Sequence, residues 1–401
     1  MNCLPWRILC SQRFLSDLVN RLSMGFFLVG LFLLVLTAIP YVVYLCLSVL
    51  VSPSGTPAQK QYVDEPVSIV LPTYNEASIV QETLESLVAL SYPTDQLEII
   101  VSDSSTDRTP EIVQEFVAAN PEVAIQLLHE EERSGVATAV NRAVAAASHD
   151  IIFRTDCDSQ LGAETIRHAV ANLQDGRFGA VTGRQAEVLG GSEVESEYRS
   201  LQARNQALES ALDSTFIIHG PCFAFRRELF QPIPADSLAD DTEIAVSIRR
   251  QGKRIAFDPE MTFAEVSVSG LRGRRQRKDR RAMGLLQLLD RNRELLGRHR
   301  LYGWVVLPVN WWFLAISPWL SIGGAVFVVS GLLMTVPLVG VAAIGLAGVL
   351  ILLGQRDWLG RLQAPYAVFD AHLSLVIARI RLWTEEGDGT WEVDTDSREL
   401  L

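Results

Sequence analysis

The chain has 401 residues, room for two or three folding units at roughly 150 residues each. It is 48% hydrophobic and 20% charged, with a mean hydropathy of +0.19, which excludes a disordered polypeptide. A net charge of −12 and a pI near 5.1 argue against nucleic acid as a partner, because that needs a positive field to release counterions. The five cysteines (Cys3, Cys10, Cys46, Cys157, Cys222) are odd in number and form no CxxC pair, so neither a disulfide framework nor a zinc site is expected.

In chain order, a flank (1–23) precedes a charge-free apolar run at 24–52. About 20 helical residues cross the hydrocarbon of a bilayer, so 24–52 predicts a transmembrane helix, with Pro40 as a point of kinking. A linker (53–64) leads into a segment of different texture, 65–270. There VSIVL (67–71) reads as a strand, NEASIVQETLESLVAL (75–90) as a helix and LEIIVSD (97–103) as a strand. TPEIVQEFVAAN (109–120) reads as a helix with Thr109 as N-cap and Pro110 in its first turn. VAIQLLH (123–129), GVATAVNRAVAAA (135–147) and HDIIFRTD (149–156) continue strand, helix, strand. This alternation predicts an α/β domain with a mainly parallel sheet covered on both faces, whose ligands bind beyond the carboxyl ends of the strands.

Acidic residues stand at those ends. Asp103 follows one strand, Asp156 and Asp158 follow another in TDCDS, and Asp240 and Asp241 open a helix in LADDTEIAV. A lone loop carboxylate is usually just solvated. An Asp-x-Asp pair on a turn can face one hard cation with oxygen ligands, and that cation can hold a diphosphate.

Beyond this domain, 271–301 is basic and amphipathic, with seven basic residues among the eleven at 271–281. Its two readings are a collar for anionic lipid headgroups, worth about 1 kcal/mol per charge near the surface, and an arginine clamp for phosphate. Residues 302–354 again lack charge and suit two transmembrane helices broken near Met334–Pro337. In the tail (355–401), residues 362–383 read as an amphipathic interfacial helix or a helix packed on the soluble domain. Three crossings put 53–301 and the tail on one side. Arg291, Arg293, Arg298, Arg300, Arg356 and Arg361 flank the later spans and outnumber Arg7, Arg13 and Arg21 before the first. The positive-inside rule therefore predicts a multi-pass cell-membrane protein with a cytoplasmic middle domain.

The segments LPTYNE (71–76), VSDSSTDRT (102–109), RSGVATAVN (133–141), TDCDS (155–159), HGPCFAFRRELF (219–230) and LADDTEIAVSIRRQGKRIAFDP (238–259) together resemble the membrane-bound branch of the family 2 glycosyltransferases. These are inverting enzymes with a GT-A, Rossmann-like nucleotide-sugar-binding fold. The resemblance implies a nucleotide-diphosphate sugar donor and a divalent metal, Mg or Mn. It places Thr73, Tyr74 and Glu76 around base and ribose, with Tyr74 stacking on the base. Asp103 would contact the nucleotide, a helix cap being the alternative. Asp156 and Asp158 match the diphosphate–metal motif, Asp158 as the direct ligand. Asp241 matches the general base, while Asp240 stands in place of the usual glutamate, so both remain candidates. Gly220, beside His219, would allow close approach near the acceptor. Val136 replaces a frequent lysine, with Arg133 to supply the charge. Arg280 aligns with the arginine of the QxxRW box, but Arg277 and Arg281 replace its glutamine and tryptophan.

The resulting expectation is a membrane-anchored hexosyltransferase-type enzyme acting on a lipid-linked or membrane-proximal glycan, in contact with membrane lipid. The alternatives are a processive polysaccharide synthase, weakened by the altered QxxRW box and the few spans, and a non-catalytic membrane scaffold, opposed by the intact Asp103, Asp158 and Asp241. The uncharged spans oppose a transporter.

Overall fold

The computed structural model describes the backbone of residues 4–51, 55–189, 193–266, 271–356 and 358–384. Side chains are described except at 4–17, 187–189, 193–198, 200, 201, 266, 271–274, 276, 277 and 364, so the side chains of Arg272, Arg274 and Arg277 in the basic cluster, the start of the flank and the end of the tail lie outside the described residues. The chain divides into two compact units, one formed by 1–45 and 311–377, the other by 46–310 and 378–401.

The larger unit is built on an eight-stranded sheet of order β3-β2-β1-β4-β7-β6-β8-β5. In chain order its elements are β1 (Val67–Thr73), α2 (Val80–Val88), β2 (Leu97–Asp103), α3 (Thr109–Ala119), β3 (Ala124–His129), α4 (Val136–Ala146) and β4 (Ile151–Arg154). They continue as β5 (Ser159–Leu161), α5 (Thr165–Leu173), β6 (Phe178–Leu189), α6 (Glu193–Leu212), β7 (Phe223–Arg226), α7 (Asp240–Arg250), β8 (Arg254–Val266) and α8 (Leu271–Arg291). The helix α1 (Leu4–Val51) precedes them and starts in the smaller unit.

Strands β3, β2, β1 and β4 are parallel. The runs of β1, β2 and β4 are largely apolar and buried because both faces are covered, whereas the edge strand β3 alternates between exposed and half-buried residues. Ile69 and Leu71 enter one core with Leu84, Val113 and Ile166, while Val70 enters the other with Ile100, Val140 and Ile244. Past β4 the sheet is mixed rather than mainly parallel. β7 runs antiparallel to β4, with Arg154 opposite Phe223, and β6 is antiparallel to β7 but parallel to β8. This reversal brings the residues just before β7 to the carboxyl end of β4.

Two local expectations shift. The helix predicted from Asn75 begins at Val80, because the preceding residues form a strand-end loop. Its N–H groups donate to side chains: Asn75 to Ser105 Oγ, Glu76 to Thr109 Oγ1 and Ala77 to Asp107. Asn75 itself has φ 55°, a left-handed conformation asparagine tolerates. At α3 the capping oxygen is Asp107, which accepts from Thr109 N–H at 3.0 Å, rather than Thr109 itself.

Residues after the first helix lie against the sheet domain. Gln61 N–H donates to Ala171 O, Thr56 Oγ1 to Asn172 Oδ1, and Tyr92 OH to Glu65 O.

In the smaller unit, α1 and the helix Ser317–Thr335 pack through glycine. A Cβ on Gly30 would lie 2.7 Å from Gly324 O, and one on Gly331 would lie 2.9 Å from Ser23 O. Small residues permit such backbone approach in apolar surroundings. The first part of the helix Gln363–Thr384 joins them: His372 lies 2.8 Å from Tyr41 OH and 2.8 Å from Ser321 Oγ. Among the described residues, three segments, Leu18–Val51, Tyr302–Thr335 and Pro337–Gln355, are long and apolar enough to cross a membrane.

Candidate active site

The candidate residues gather at the carboxyl ends of the central strands. Thr73, Asp103 and His129 end β1, β2 and β3 in one register row. Asp103 is buried, and both its oxygens are engaged. Thr73 Oγ1 and the Ser105 hydroxyl donate to Oδ1, while Ser105 N–H and His129 Nδ1, the latter at 2.8 Å, meet Oδ2. Asp103 is therefore a hub that ties three strand ends together. Its histidine partner, 38% exposed, is the member of the row that reaches solvent. Beside the row, the Arg133 guanidinium lies 3.9 Å over the Tyr74 ring, a cation–π contact. Glu76 sits on the same loop, its carbonyl accepting the N–H groups of Ile79 and Val80.

The second group begins at the end of β4. Arg154 is buried with its guanidinium 2.8 Å from Asp240 Oδ2 and 3.3 Å from Asp156 Oδ1. Asp240 and Asp241 open α7. Asp241 Oδ2 accepts the Gly220 N–H at 3.0 Å, and Oδ1 accepts the Thr242 N–H and hydroxyl. Thus the Asp-x-Asp loop, the start of α7 and the turn before β7 meet around one arginine. Burial and the neighbouring Asp240 raise the Asp241 carboxyl above the ordinary aspartate value, against the pull of Arg154. Burial likewise pushes Asp156 up to about 6 despite Arg154, reinforced by Asp158, Asp240 and Glu265. His219 is buried, 3.2 Å from Gln206 Oε1, and burial with the charges of Arg281 and Arg199 pulls it down to about 3. It is a neutral packing group next to Phe263.

These residues fit a hard divalent cation. The donors are carboxylate oxygens, and Asp158, Asp240 and Glu265 add negative charge around the buried Asp156. Such an ion takes one or two carboxylates and completes its shell with phosphate and water, so Asp158 and Asp156 need no third protein ligand. Among the described residues, one trio has ligand atoms within 4.8 Å of one another, His168, Asp258 and Glu260. There the Lys60 ammonium already takes the cation's place, 2.7 Å from Asp258, 2.5 Å from Glu260 and 3.1 Å from His168 Nδ1.

Arg280 lies on α8, half-buried. Its neighbour Arg281 approaches Glu265 Oε2 at 3.9 Å, and Glu265 pairs in register with Ser159, next to Asp158. Sequence reasoning missed Arg154, His129 and Glu265. A charged residue closing the otherwise apolar IIFR run was the signal available for Arg154.

Residues 68–233 match the family model "Glycosyl transferase family 2", and residues 151–352 match "Glycosyl transferase family group 2". Among curated proteins, "Probable glycosyltransferase YdaM" of Bacillus subtilis is 30% identical over 204 residues, 48% of this chain and 49% of that protein. "Poly-beta-1,6-N-acetyl-D-glucosamine synthase" of Staphylococcus aureus is 27% identical over 207 residues, 49% of this chain and 48% of that one. The chain thus spans about half the length of the curated relatives it matches. A solved mannosyltransferase, PcManGT from Pyrobaculum calidifontis in complex with GDP-Man and Mn2+, superposes with a TM-score of 0.73 at 26% identity, covering 92% of this chain and all of that one. With the mixed α/β sheet, the carboxylates at its carboxyl edge and these matches together, the chain belongs to the family 2 glycosyltransferases.

Proposed function

We propose that the protein is a membrane-anchored inverting glycosyltransferase that moves a hexose from a nucleoside-diphosphate sugar, with GDP-mannose the first donor to test, to a lipid-linked or membrane-proximal glycan. The observation that carries this reading is the convergence of Asp156, Asp240 and Asp241, from distant parts of the chain, at the carboxyl edge of the sheet. The likeness to a mannosyltransferase solved with GDP-Man and Mn2+ supports the donor and the metal. The three apolar helices support the membrane-proximal acceptor.

In this reading Tyr74, Thr73 and Glu76 form the base and ribose side of the donor site, with Asp103 holding the row behind them. Asp158 and Asp156 hold the divalent cation, and Arg280 is assigned to the diphosphate. When bound, the cation neutralises charge developing on the leaving diphosphate. Asp241 takes the proton of the acceptor hydroxyl as that oxygen attacks the sugar carbon from the side opposite the diphosphate, which inverts the configuration. A carboxyl with a raised pKa is the better base for this step, and the Gly220 N–H holds one of its oxygens in place.

The test is to incubate membranes carrying the protein, with Mn2+, against a panel of nucleotide sugars and to follow nucleoside diphosphate release and product configuration. GDP release from GDP-mannose with an inverted product is expected. Release from no donor in the panel overturns the reading.

A further inference from the structure

Arg154 closes a strand whose four residues are all buried. It stands between Val70 of β1 and Phe223 of β7 in the middle of the sheet. A buried charge is costly unless it is paired, so this position is an expensive place for an arginine that only fills space. Its contacts give a reason. Nη2 is 2.8 Å from Asp240 Oδ2 and 3.3 Å from Asp156 Oδ1. Nη1 packs on Gly220 so closely that a Cβ there would lie 2.3 Å from it. The N–H of that same glycine donates to Asp241 Oδ2. One planar guanidinium therefore touches the Asp-x-Asp loop, the first residue of α7 and the turn that orients Asp241.

We propose that Arg154 is a positioning residue for sugar transfer: it fastens the N-terminus of α7 to the loop after β4, engages Asp240 as its fixed counter-ion, and leaves Asp241 to face the acceptor hydroxyl. This rests on the transferase reading above and deepens it, because it separates two adjacent aspartates that the sequence leaves equivalent. The Asp240 carboxylate faces the guanidinium as its ion-pair partner, with Oδ2 buried and making no hydrogen bond among the described residues. That of Asp241 is oriented by a backbone N–H and by Thr242. The geometry also explains the glycine, since a side chain at 220 would displace the arginine and the turn that holds Asp241 together.

The test uses the full-length protein in detergent and three measurements: melting temperature, binding of GDP with Mn2+, and donor kcat and KM. Arg154→Lys keeps the charge, so Asp240 stays paired, but a single ammonium lacks the fork that spans several partners. Its melting temperature should stay near that of the unaltered protein and its GDP–Mn2+ affinity within about threefold, while kcat falls about 10- to 100-fold, the scale on which small misplacements act. Arg154→Met should fall further. Should it fail to fold, the lysine variant decides. Arg154→Lys combined with Asp240→Asn should lose no more than the worse single variant, because both act through one contact. An undiminished kcat in Arg154→Lys overturns the proposal. So does a kcat loss matched by an equal loss of GDP–Mn2+ affinity, and so do multiplicative losses in the double variant. In each of these cases the unaltered protein still transfers sugar; if it does not, the transferase reading itself fails.

Discussion

Asp241 and Asp240 differ by one position but occupy different environments, and the difference is measurable. Asp241→Asn preserves shape and hydrogen-bonding reach but removes the proposed proton acceptor. Its kcat should fall by roughly 10²- to 10⁴-fold, with donor affinity little changed, and Asp240→Asn should do less. Because burial and Asp240 raise the Asp241 carboxyl above its ordinary value, the acid limb of kcat/KM should lie above the ordinary aspartate range, activity being lost as pH falls and the proposed base is protonated. The stability sign is opposite. The folded state holds this proton more tightly than the unfolded one, so its contribution is complete below the ordinary aspartate pKa and is lost as pH rises through the raised one. Asp156 adds a metal counterpart. Since its carboxyl sits at about 6, the ion must displace a proton in acid, and the apparent Mn2+ affinity should increase as pH rises through that value. Asp158→Asn should abolish turnover and weaken Mn2+-dependent donor binding, whereas full activity in chelator-treated protein would refute a metal role. Asp103 poses a different question, because four donors converge on it. Asp103→Ala strands them, and a loss of about 1–3 kcal/mol is expected from buried groups left unpaired, read by chemical denaturation. Lost nucleotide affinity with unchanged stability would instead make Asp103 a direct ligand.

At the scale of elements, the parallel half of the sheet was legible because strands covered on both faces carry continuous apolar runs, as in Val67–Leu71 and Ile151–Phe153. The remaining strands were not, for three physical reasons. β5 and β7 are three and four residues long, β6 and β8 pair with irregular register, and β7 runs antiparallel to both its neighbours, outside the βαβ alternation. The acidic positions could be read because carboxylates at strand ends form a local pattern. Arg154 offered only the weak signal of a charge closing an apolar run, because two of its contacts are non-local: Asp240 opens a distant helix, and Gly220 is brought to it by the reversal of β7 against β4. The helix start at Val80 escaped for a related reason. The helical pattern reads from Asn75, yet the N–H groups of Asn75, Glu76 and Ala77 are claimed by the side chains of Ser105, Thr109 and Asp107. In the apolar unit the decisive residues are glycines, which a hydropathy pattern does not register. Gly324→Leu would push a side chain into Gly30 O and Leu34, only 3.0 Å from the added Cβ. A clear drop in thermal stability in detergent is expected, while Gly345→Leu, whose Cβ meets nothing within 4 Å, should be tolerated. Equal effects at the two positions would deny that the helices pack through Gly324.

For the whole molecule, the donor site and the spans make one joint demand. Nucleotide sugars are charged and do not cross hydrocarbon unaided, so a domain that uses a cytosolic pool has to lie on the cytosolic side. In the proposed topology, of the three candidate spans among the described residues one precedes the domain, so the segment before it would lie opposite, and two follow it, so the tail would return to the domain's side. The arginines at 291–300, 356 and 361 agree with that orientation, whereas Arg7, Arg13 and Arg21 oppose it; the positive-inside rule counts both sets, and the larger set borders two spans instead of one. Protease added to intact cells should therefore leave residues 53–301 uncut, and the same protease should cut them once the membrane is permeabilised. A tag at the N-terminus should show the reverse. Cleavage of 53–301 in intact cells would invert the topology, and it would also remove the cytosolic nucleotide sugar as donor, because the carboxylate edge would then face a compartment without that pool.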